Sequence, residues 1–160
     1  MNKLTPLVKG IITGAAMVSA FLVAFYTVPE NSPVHYFIYA LFAAGIIWTL
    51  ISYKMSTSFT GKFADLFGQG FRCFIIAILI IVAFITIFHK FHPEFAEKDA
   101  VYYREALVKK KGKTPAEIDE LVADNKKRYT TKVVYLTIFG YLILGTIVTA
   151  AGSALLMRRK

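Results

Sequence analysis

The sequence lacks most of the residues on which enzymes and disulfide-bonded scaffolds depend. Its only cysteine is Cys73, so no disulfide can form within the chain, and cysteine usage does not indicate a redox compartment. The patterns HExxH, GxSxG, GxxxxGK[ST] and GxGxxG before a helix are all missing. We therefore expect no enzyme activity that depends on them, and the sequence assigns no catalytic, cofactor-binding or metal-binding residue.

Charge is also scarce over most of the chain. Of the ten acidic residues, eight lie between His89 and Lys132, which we call the charged segment. Hydrophobic residues make up 56% of the sequence, a composition typical of membrane proteins. The net charge of +9 could indicate nucleic acid, but the basic residues stand beside apolar runs. We therefore predict the lipid bilayer and its anionic headgroups as partners, and no nucleic acid.

Four uncharged stretches are long enough to cross a bilayer, which takes about 20 apolar residues. Their predicted bounds are 10–28, 34–53, 71–88 and 133–156. The predicted fold class is all-α, an integral membrane four-helix bundle that forms a single domain over 1–160. The first stretch resembles a signal peptide, but its apolar run is too long for one. Its Gly10-x-x-x-Gly14 spacing favours close helix packing, either within the bundle or in a dimer.

The charged segment, 89–132, is predicted to be an extramembrane helical hairpin inserted between spans three and four. Pro93 interrupts the chain before the first arm, and each arm begins with acids and ends with lysines, as the helix macrodipole favours. Thr114-Pro-Ala-Glu117 is a capping box that starts the second arm. No proline or glycine follows until Gly140. The second arm and the fourth span are therefore predicted to form one helix.

Each arm carries an apolar stripe, and the two stripes are expected to face each other or the membrane surface. They comprise Phe91, Phe95, Tyr102 and Ala106 in the first arm and Ile118, Leu121, Val122 and Tyr129 in the second.

The sequence leads to further expectations about the bundle. Residues 54–70 indicate an interfacial helix that precedes the third span. That span, rich in isoleucine and phenylalanine, is expected to face lipid most, and the glycine-rich fourth span to pack against the first. Arg72 is expected to extend to the lipid phosphates or to pair with Asp65. His35 is expected at headgroup level.

Orientation follows from the distribution of basic residues. The side that holds both termini would carry eight basic residues and the hairpin side eleven, which narrowly favours a cytoplasmic hairpin. However, the first span usually dominates, and the basic residues of the hairpin are largely paired with acids. We predict a multi-pass protein of the bacterial inner membrane, with both termini cytoplasmic and the hairpin periplasmic.

Several stretches resemble a known family. They are Ala44-Gly-Ile-Ile-Trp-Thr-Leu50, Phe59-Thr-Gly-Lys-Phe-Ala-Asp-Leu-Phe-Gly-Gln-Gly-Phe-Arg72, His92-Pro-Glu-Phe95, Tyr102-Tyr-Arg-Glu105 and Lys113-Thr-Pro-Ala-Glu-Ile118. Over nearly its whole length the chain is similar to the family called domain of unknown function 4199. The resemblance implies a small bacterial four-helix membrane protein, and it implies no activity or site residue.

Three functions are compatible with these features. The first is a non-catalytic subunit, scaffold or accessory factor whose hairpin meets a protein partner or the lipid surface, with a homo-oligomer possible. The second is an oligomeric channel or transporter, although the span interiors offer only hydroxyls, which usually bond their own backbone. The third is a metal-dependent membrane enzyme that uses His89 and His92, although Pro93 lies between them.

Overall fold

All regular structure in the described part of the chain is helical. The computed structural model describes residues 4–28, 33, 36–110 and 112–158. Its helices are α1 Pro6–Thr27, α2 Tyr36–Lys54, α3 Phe63–Phe91, α4 Glu94–Lys109 and α5 Pro115–Arg158. All except α4 are long and apolar enough to cross a membrane. The prediction of an all-α chain with four candidate membrane helices is confirmed, while His35 lies outside the described residues.

The helix boundaries follow local chemistry. At the start of α1, Pro6 occupies the first turn and the Thr5 hydroxyl accepts a hydrogen bond from the Val8 N–H at 3.4 Å. The predicted break at Pro93 is confirmed, since α3 ends two residues before it and α4 begins directly after it. The predicted continuity after Pro115 is also confirmed, because α5 runs for 44 residues without interruption.

The chain forms two compact units. The bundle unit comprises Met1–Val82 and Ile138–Lys160, and the arm unit comprises Ala83–Thr137. The helices α3 and α5 contribute residues to both units. The buried apolar side chains of the bundle unit are Met17, Ala24, Ile38, Phe42, Ile46, Leu50, Leu66, Cys73, Phe74, Ala77, Ile78, Ile81 and Tyr141. In a bilayer such a core is stabilised by close packing rather than by removal of apolar surface from water.

Glycines on α1 allow α3 to approach closely. A Cβ added at Gly10 would lie 2.6 Å from the carbonyl oxygen of Cys73 and 2.8 Å from the Cβ of Ile76. At Gly14 an added Cβ would lie 2.9 Å from the Cβ of Ile80. The spacing of small residues in α1 therefore serves packing inside the bundle, which is one of the two predicted roles.

The expectation that the third span faces lipid most is wrong. In the most apolar 18-residue window of each helix, α3 is 39% buried and α5 only 17%. The bulky side chains of α3 fill the space that glycines leave on its neighbours. Phe74, for example, is fully buried and lies against Gly145 of α5, where an added Cβ would be 2.9 Å from its ring. The bulky side chains of α3 therefore marked a surface that packs against glycines of neighbouring helices, and not a surface that faces lipid.

Two glycines of α5 face other helices than expected. Gly145 approaches Phe74 on α3, and Gly152 approaches Leu50 on α2. The expectation that they would face α1 is wrong, because a small residue marks where helices come close without identifying the partner.

The predicted interfacial helix is not a separate element. Residues 63–70 are the first turns of α3, and Phe59 lies in the preceding loop with its ring 5.8 Å from that of Tyr53. Asp65 accepts a hydrogen bond from the Thr60 hydroxyl. Arg72 is exposed, as expected for a side chain that extends to phosphates, and it forms no ion pair with Asp65.

Candidate functional site

Within the arm unit, α4 and the first half of α5 pair side by side. Glu97 contacts Lys126 at 3.1 Å, and further along α4 Arg104 forms an ion pair with Asp119. Because the α4 positions rise as the α5 positions fall, the two helices are antiparallel, and we call them the hairpin. Exposed ion pairs contribute about 1 kcal/mol or less each, so their main effect here is to define which residues lie opposite each other.

A third polar contact between the arms lies deeper. The side-chain amide of Asn125 donates a hydrogen bond to a carboxylate oxygen of Asp99 at 2.7 Å, and the ammonium of Lys132 lies 3.8 Å from the same oxygen. The Asp99 side chain is only 33% exposed, so its carboxylate depends on these partners more than the outer pairs do.

The predicted capping box starts the second arm. The Thr114 N–H and hydroxyl both donate to a Glu117 carboxylate oxygen, at 2.7 and 3.0 Å, and the Glu117 N–H lies 3.4 Å from the Thr114 hydroxyl. The donated backbone hydrogen bond, followed by that of the hydroxyl, lowers the pKa of Glu117 from its ordinary value. Gly112, in the turn before it, has a φ of 112°, a conformation that favours glycine.

The inner face of the hairpin differs in part from the predicted stripes. Ile118 is buried and Leu121, Val122 and Tyr129 are half-buried, as predicted for the second arm. On α4, however, Ala100 and Leu107 are buried instead and Tyr102 is 73% exposed, and Phe91, the last residue of α3, is 77% exposed. Two stripes of similar spacing exist on α4, and sequence reasoning chose the more aromatic one.

The exposed α4 stripe is the most unusual surface of the hairpin. It consists of Val101, Tyr102 and Val108, which are 58%, 73% and 58% exposed. Positions 101 and 108 are two helical turns apart, so they lie on one line along α4, about 100° around the helix from the line of the buried Ala100 and Leu107, and Tyr102 lies about 100° further round. We call Val101, Tyr102 and Val108 the outer stripe.

The two histidines of the proposed metal site lie in an aromatic cluster. The His89 Nδ1 is 2.9 Å from the carbonyl oxygen of Ile85, and the His92 Nδ1 is 2.6 Å from a carboxylate oxygen of Glu94. The His92 ring stacks on Phe88 with a centroid distance of 4.3 Å, and the His89 ring lies 5.5 Å from that of Tyr129. Both imidazoles therefore pack as aromatic rings with one nitrogen already engaged.

The surroundings of these histidines do not form a metal centre. Within the described ranges, no group of three His, Cys, Asp or Glu side chains could hold a metal ion. The Glu94 carboxylate instead accepts hydrogen bonds from its own N–H and from His92, which lower its pKa. Phe88 and Phe95, four residues before His92 and three after it, signal this aromatic role in the sequence.

Hydroxyls in the bundle unit bear on the channel hypothesis. Thr13 and Thr49 donate to the carbonyl oxygens of Lys9 and Gly45, four residues earlier, at 2.8 and 2.9 Å. This is the backbone bonding that the sequence predicted. The Thr149 hydroxyl is fully buried and finds no hydrogen-bond partner among the described residues, so the rule does not hold for every span hydroxyl.

Lys9 directly precedes the predicted first span, 10–28, and the sequence analysis did not predict its burial. Because α1 begins at Pro6, this lysine lies within the helix, and it is only 7% exposed. It is the one buried charged residue in the part of the chain that the structure describes. Thr5 and Pro6, a typical helix start, are the signal that could have placed it inside.

The fold and these side chains can now be compared with known proteins. A family model described as "Protein of unknown function (DUF4199)" matches residues 9–159. The chain belongs to this family. The resemblance seen in the sequence is thus confirmed for nearly the whole length of this DUF4199 protein. Searches of curated proteins and of solved structures gave no match.

Proposed function

We propose that this DUF4199 chain is a non-catalytic subunit, scaffold or accessory factor whose hairpin binds a partner protein. The observation that carries this proposal is the outer stripe. One face of α4 is already used for pairing with α5, yet two valines and a tyrosine remain exposed on the rest of its surface. Exposed apolar side chains that the hairpin's own packing does not cover are available for a protein interaction site.

The composition of the outer stripe favours a protein over a lipid surface. Tyr102 supplies a large, rigid ring with a polar tip, a residue type enriched at the energetic centres of interfaces. Around the helix, Lys98, Glu105 and Lys109 lie between the two valines and Tyr102, where they form an exposed charged rim. Because this rim carries both signs of charge, it suits a specific partner better than a uniformly anionic membrane surface.

The hairpin is also pre-organised for binding. The contacts between Glu97 and Lys126 and between Asp99 and Asn125 hold α4 against α5 before any partner arrives. A surface ordered in advance loses less conformational entropy on association than a flexible segment does. The arrangement requires no catalytic group, in agreement with the missing motifs.

We further propose that the hairpin lies outside the bilayer, in the periplasm of a bacterium, and that both termini are cytoplasmic. In the bundle unit, the Lys54 ammonium donates a hydrogen bond to the carbonyl oxygen of Leu156, so the ends of α2 and α5 lie together. Lys62, Arg72 and Arg158 are exposed residues near the same helix ends. A basic concentration of this kind is expected on the cytoplasmic side.

Site-specific photocrosslinking in native membranes tests the proposed partner. A photoreactive phenylalanine analogue at Tyr102 should give one stoichiometric protein adduct. The same group at Lys127, an exposed position on the other arm, is the matched control and should give none. The adduct should also disappear in the Val101→Ser/Val108→Ser variant. An adduct with a second copy of this chain, adducts with lipid alone, or equal adducts at both positions would each contradict a separate partner protein.

A further inference from the structure

The bundle unit contains a cavity beside Lys9 that none of the preceding functions uses. Its volume is about 460 Å³, and it lies between the start of α1, the end of α2 and the loop that follows α2. Lys9, Trp48, Ser52, Ser56 and Gln69 are among the residues that line it.

Lys9 is buried in this cavity without a counter-charge. Its side chain is 7% exposed, and its ammonium lies 5.5 Å from the centre of the Trp48 ring. No described carboxylate lies within ion-pair distance of it, and no acidic residue lines the cavity. A buried cation ordinarily has an anionic partner, because leaving its charge unpaired away from water is costly.

A second polar group in the same cavity is also unsatisfied. The Ser56 hydroxyl oxygen is inaccessible to solvent, and within the described residues it has no hydrogen-bond partner. The cavity lining adds the hydroxyls of Thr5, Ser52 and Ser58 and the amide of Gln69. One cation among several neutral donors suits an anion with several acceptor oxygens.

An apolar groove adjoins the cavity and shares Thr5, Pro6 and Gln69 with it. The groove has a volume of about 570 Å³, and Leu7, Phe71 and Ile75 contribute to its walls. A phosphate held at Lys9 would therefore have an apolar channel beside it that can receive an acyl chain. Trp48 and Tyr53 also line the cavity, and such aromatic residues favour the headgroup depth of a bilayer.

We propose that this cavity is a binding site for a phosphate oxyanion, with Lys9 as its cationic anchor and Ser56 as a hydrogen-bond donor. The adjoining groove favours the headgroup of an anionic phospholipid over a soluble phosphate ester. This site lies in the bundle unit and its proposal does not depend on the partner proposed for the hairpin.

The test is native mass spectrometry of the full chain, purified and delipidated in a neutral detergent. Three probes separate the contributions of phosphate and acyl chain: phosphatidylglycerol, diacylglycerol without a phosphate, and glycerol 3-phosphate without acyl chains. Phosphatidylglycerol should bind and diacylglycerol should bind at least about 10-fold more weakly. Equal binding of these two lipids would overturn the proposal. Glycerol 3-phosphate binding as tightly as phosphatidylglycerol would identify a soluble ester as the source of the phosphate.

Matched variants assign the effect to the cavity. Lys9→Met, which keeps an apolar stem beside Trp48, should weaken phosphatidylglycerol binding by roughly 10-fold to 100-fold, and Lys9→Arg should restore most of it. Ser56→Ala should weaken it by about 2-fold to 10-fold, and provides an independent variant if Lys9→Met does not fold. Lys62→Met removes the same charge from an exposed position outside the cavity and should have little effect. An equal loss in Lys62→Met and Lys9→Met would mean generic attraction to anions and would refute the site.

Discussion

The close approach of α1 to α3 at Gly10 makes a quantitative prediction about Gly10→Ala. The added Cβ would lie 2.6 Å from the carbonyl oxygen of Cys73, about 0.8 Å short of the 3.4 Å at which ordinary contact begins. The atom it meets belongs to the backbone, and the next nearest is the Cβ of Ile76 at 2.8 Å, so neither can rotate away. The helices must separate, and overpacking of this kind costs typically about 1–3 kcal/mol.

Gly140→Ala is the matched control for this substitution. Gly140 lies in the interior of α5, and an added Cβ there meets nothing within 4 Å. Both variants gain the same helix propensity, since alanine is favoured over glycine in a helix interior by about 0.5–1 kcal/mol. Any destabilisation of Gly10→Ala relative to Gly140→Ala therefore isolates the steric contact.

Cys73 provides the assay, because it is the only cysteine and is fully buried. A thiol-reactive fluorophore can label it only when the bundle opens, so the labelling rate reports the open population when closing is faster than labelling. A steric cost of about 1–3 kcal/mol corresponds to labelling about 5-fold to 150-fold faster in Gly10→Ala than in Gly140→Ala, which has the same gain in helix propensity. Gly140→Ala should label no faster than the wild type.

A second measurement distinguishes global from local opening, since Gly10 lies directly against the cysteine backbone. The temperature at which half of the protein is lost from its monodisperse chromatographic peak should fall in Gly10→Ala and not in Gly140→Ala. Equal labelling rates in the two variants would refute the rigid approach of α1 to α3. Faster labelling without a change in this temperature would mean that the clash is relieved locally, which the backbone contact does not allow.

The hairpin makes four further predictions. The pKa of Glu117 is lowered in the folded state. The stability that its carboxylate contributes to the hairpin is therefore present above the ordinary glutamate pKa and is lost as the pH falls through the lowered pKa. Glu117→Gln should weaken this pH dependence of stability, measured by hydrogen exchange of residues 112–125. Thr114→Ala should lower the stability of the hairpin by about 1 kcal/mol at neutral pH, measured by the same hydrogen exchange, and an unchanged exchange rate would contradict the capping box. Asp99→Ala should cost about 1–3 kcal/mol by leaving the Asn125 amide unpaired, and removing Asn125 as well should recover part of that loss. In a background without the native cysteine, Lys113→Cys should react with a membrane-impermeant thiol reagent in intact cells, whereas protection would place the hairpin in the cytoplasm.

Features set by neighbouring residues could be predicted from the sequence. The break at Pro93, the capping box at Thr114 and the uninterrupted α5 each depend on backbone chemistry within a few positions. The number of helices long and apolar enough to cross a membrane follows in the same way, because it depends on the length of each uncharged run.

Features set by packing between helices could not be predicted in this way. The composition of α3 does not reveal that Phe74 is buried against a glycine of α5, since the same residues would also suit a lipid-facing helix. On α4, the choice between the stripe with Tyr102 and the stripe with Leu107 depends on which face the residues of α5 can pair with. Small residues and apolar periodicity limit the possible contacts, and only the tertiary structure selects one.

The two proposed sites are places where the chain departs from locally consistent design. Most polar groups in the bundle follow simple rules, as Thr13 and Thr49 do when they bond the preceding turn, whereas Lys9 is buried as a cation without an acid. In the hairpin, the polar residues of α4 pair with α5, whereas Tyr102 leaves a large ring in solvent. Each of these two residues makes the free protein less stable than a residue that followed the local rules would. Such losses of stability persist in proteins mainly where binding of a ligand or partner offsets them. A phosphate at Lys9 and a protein at Tyr102 would each recover the cost at its own site, and neither requires catalytic chemistry.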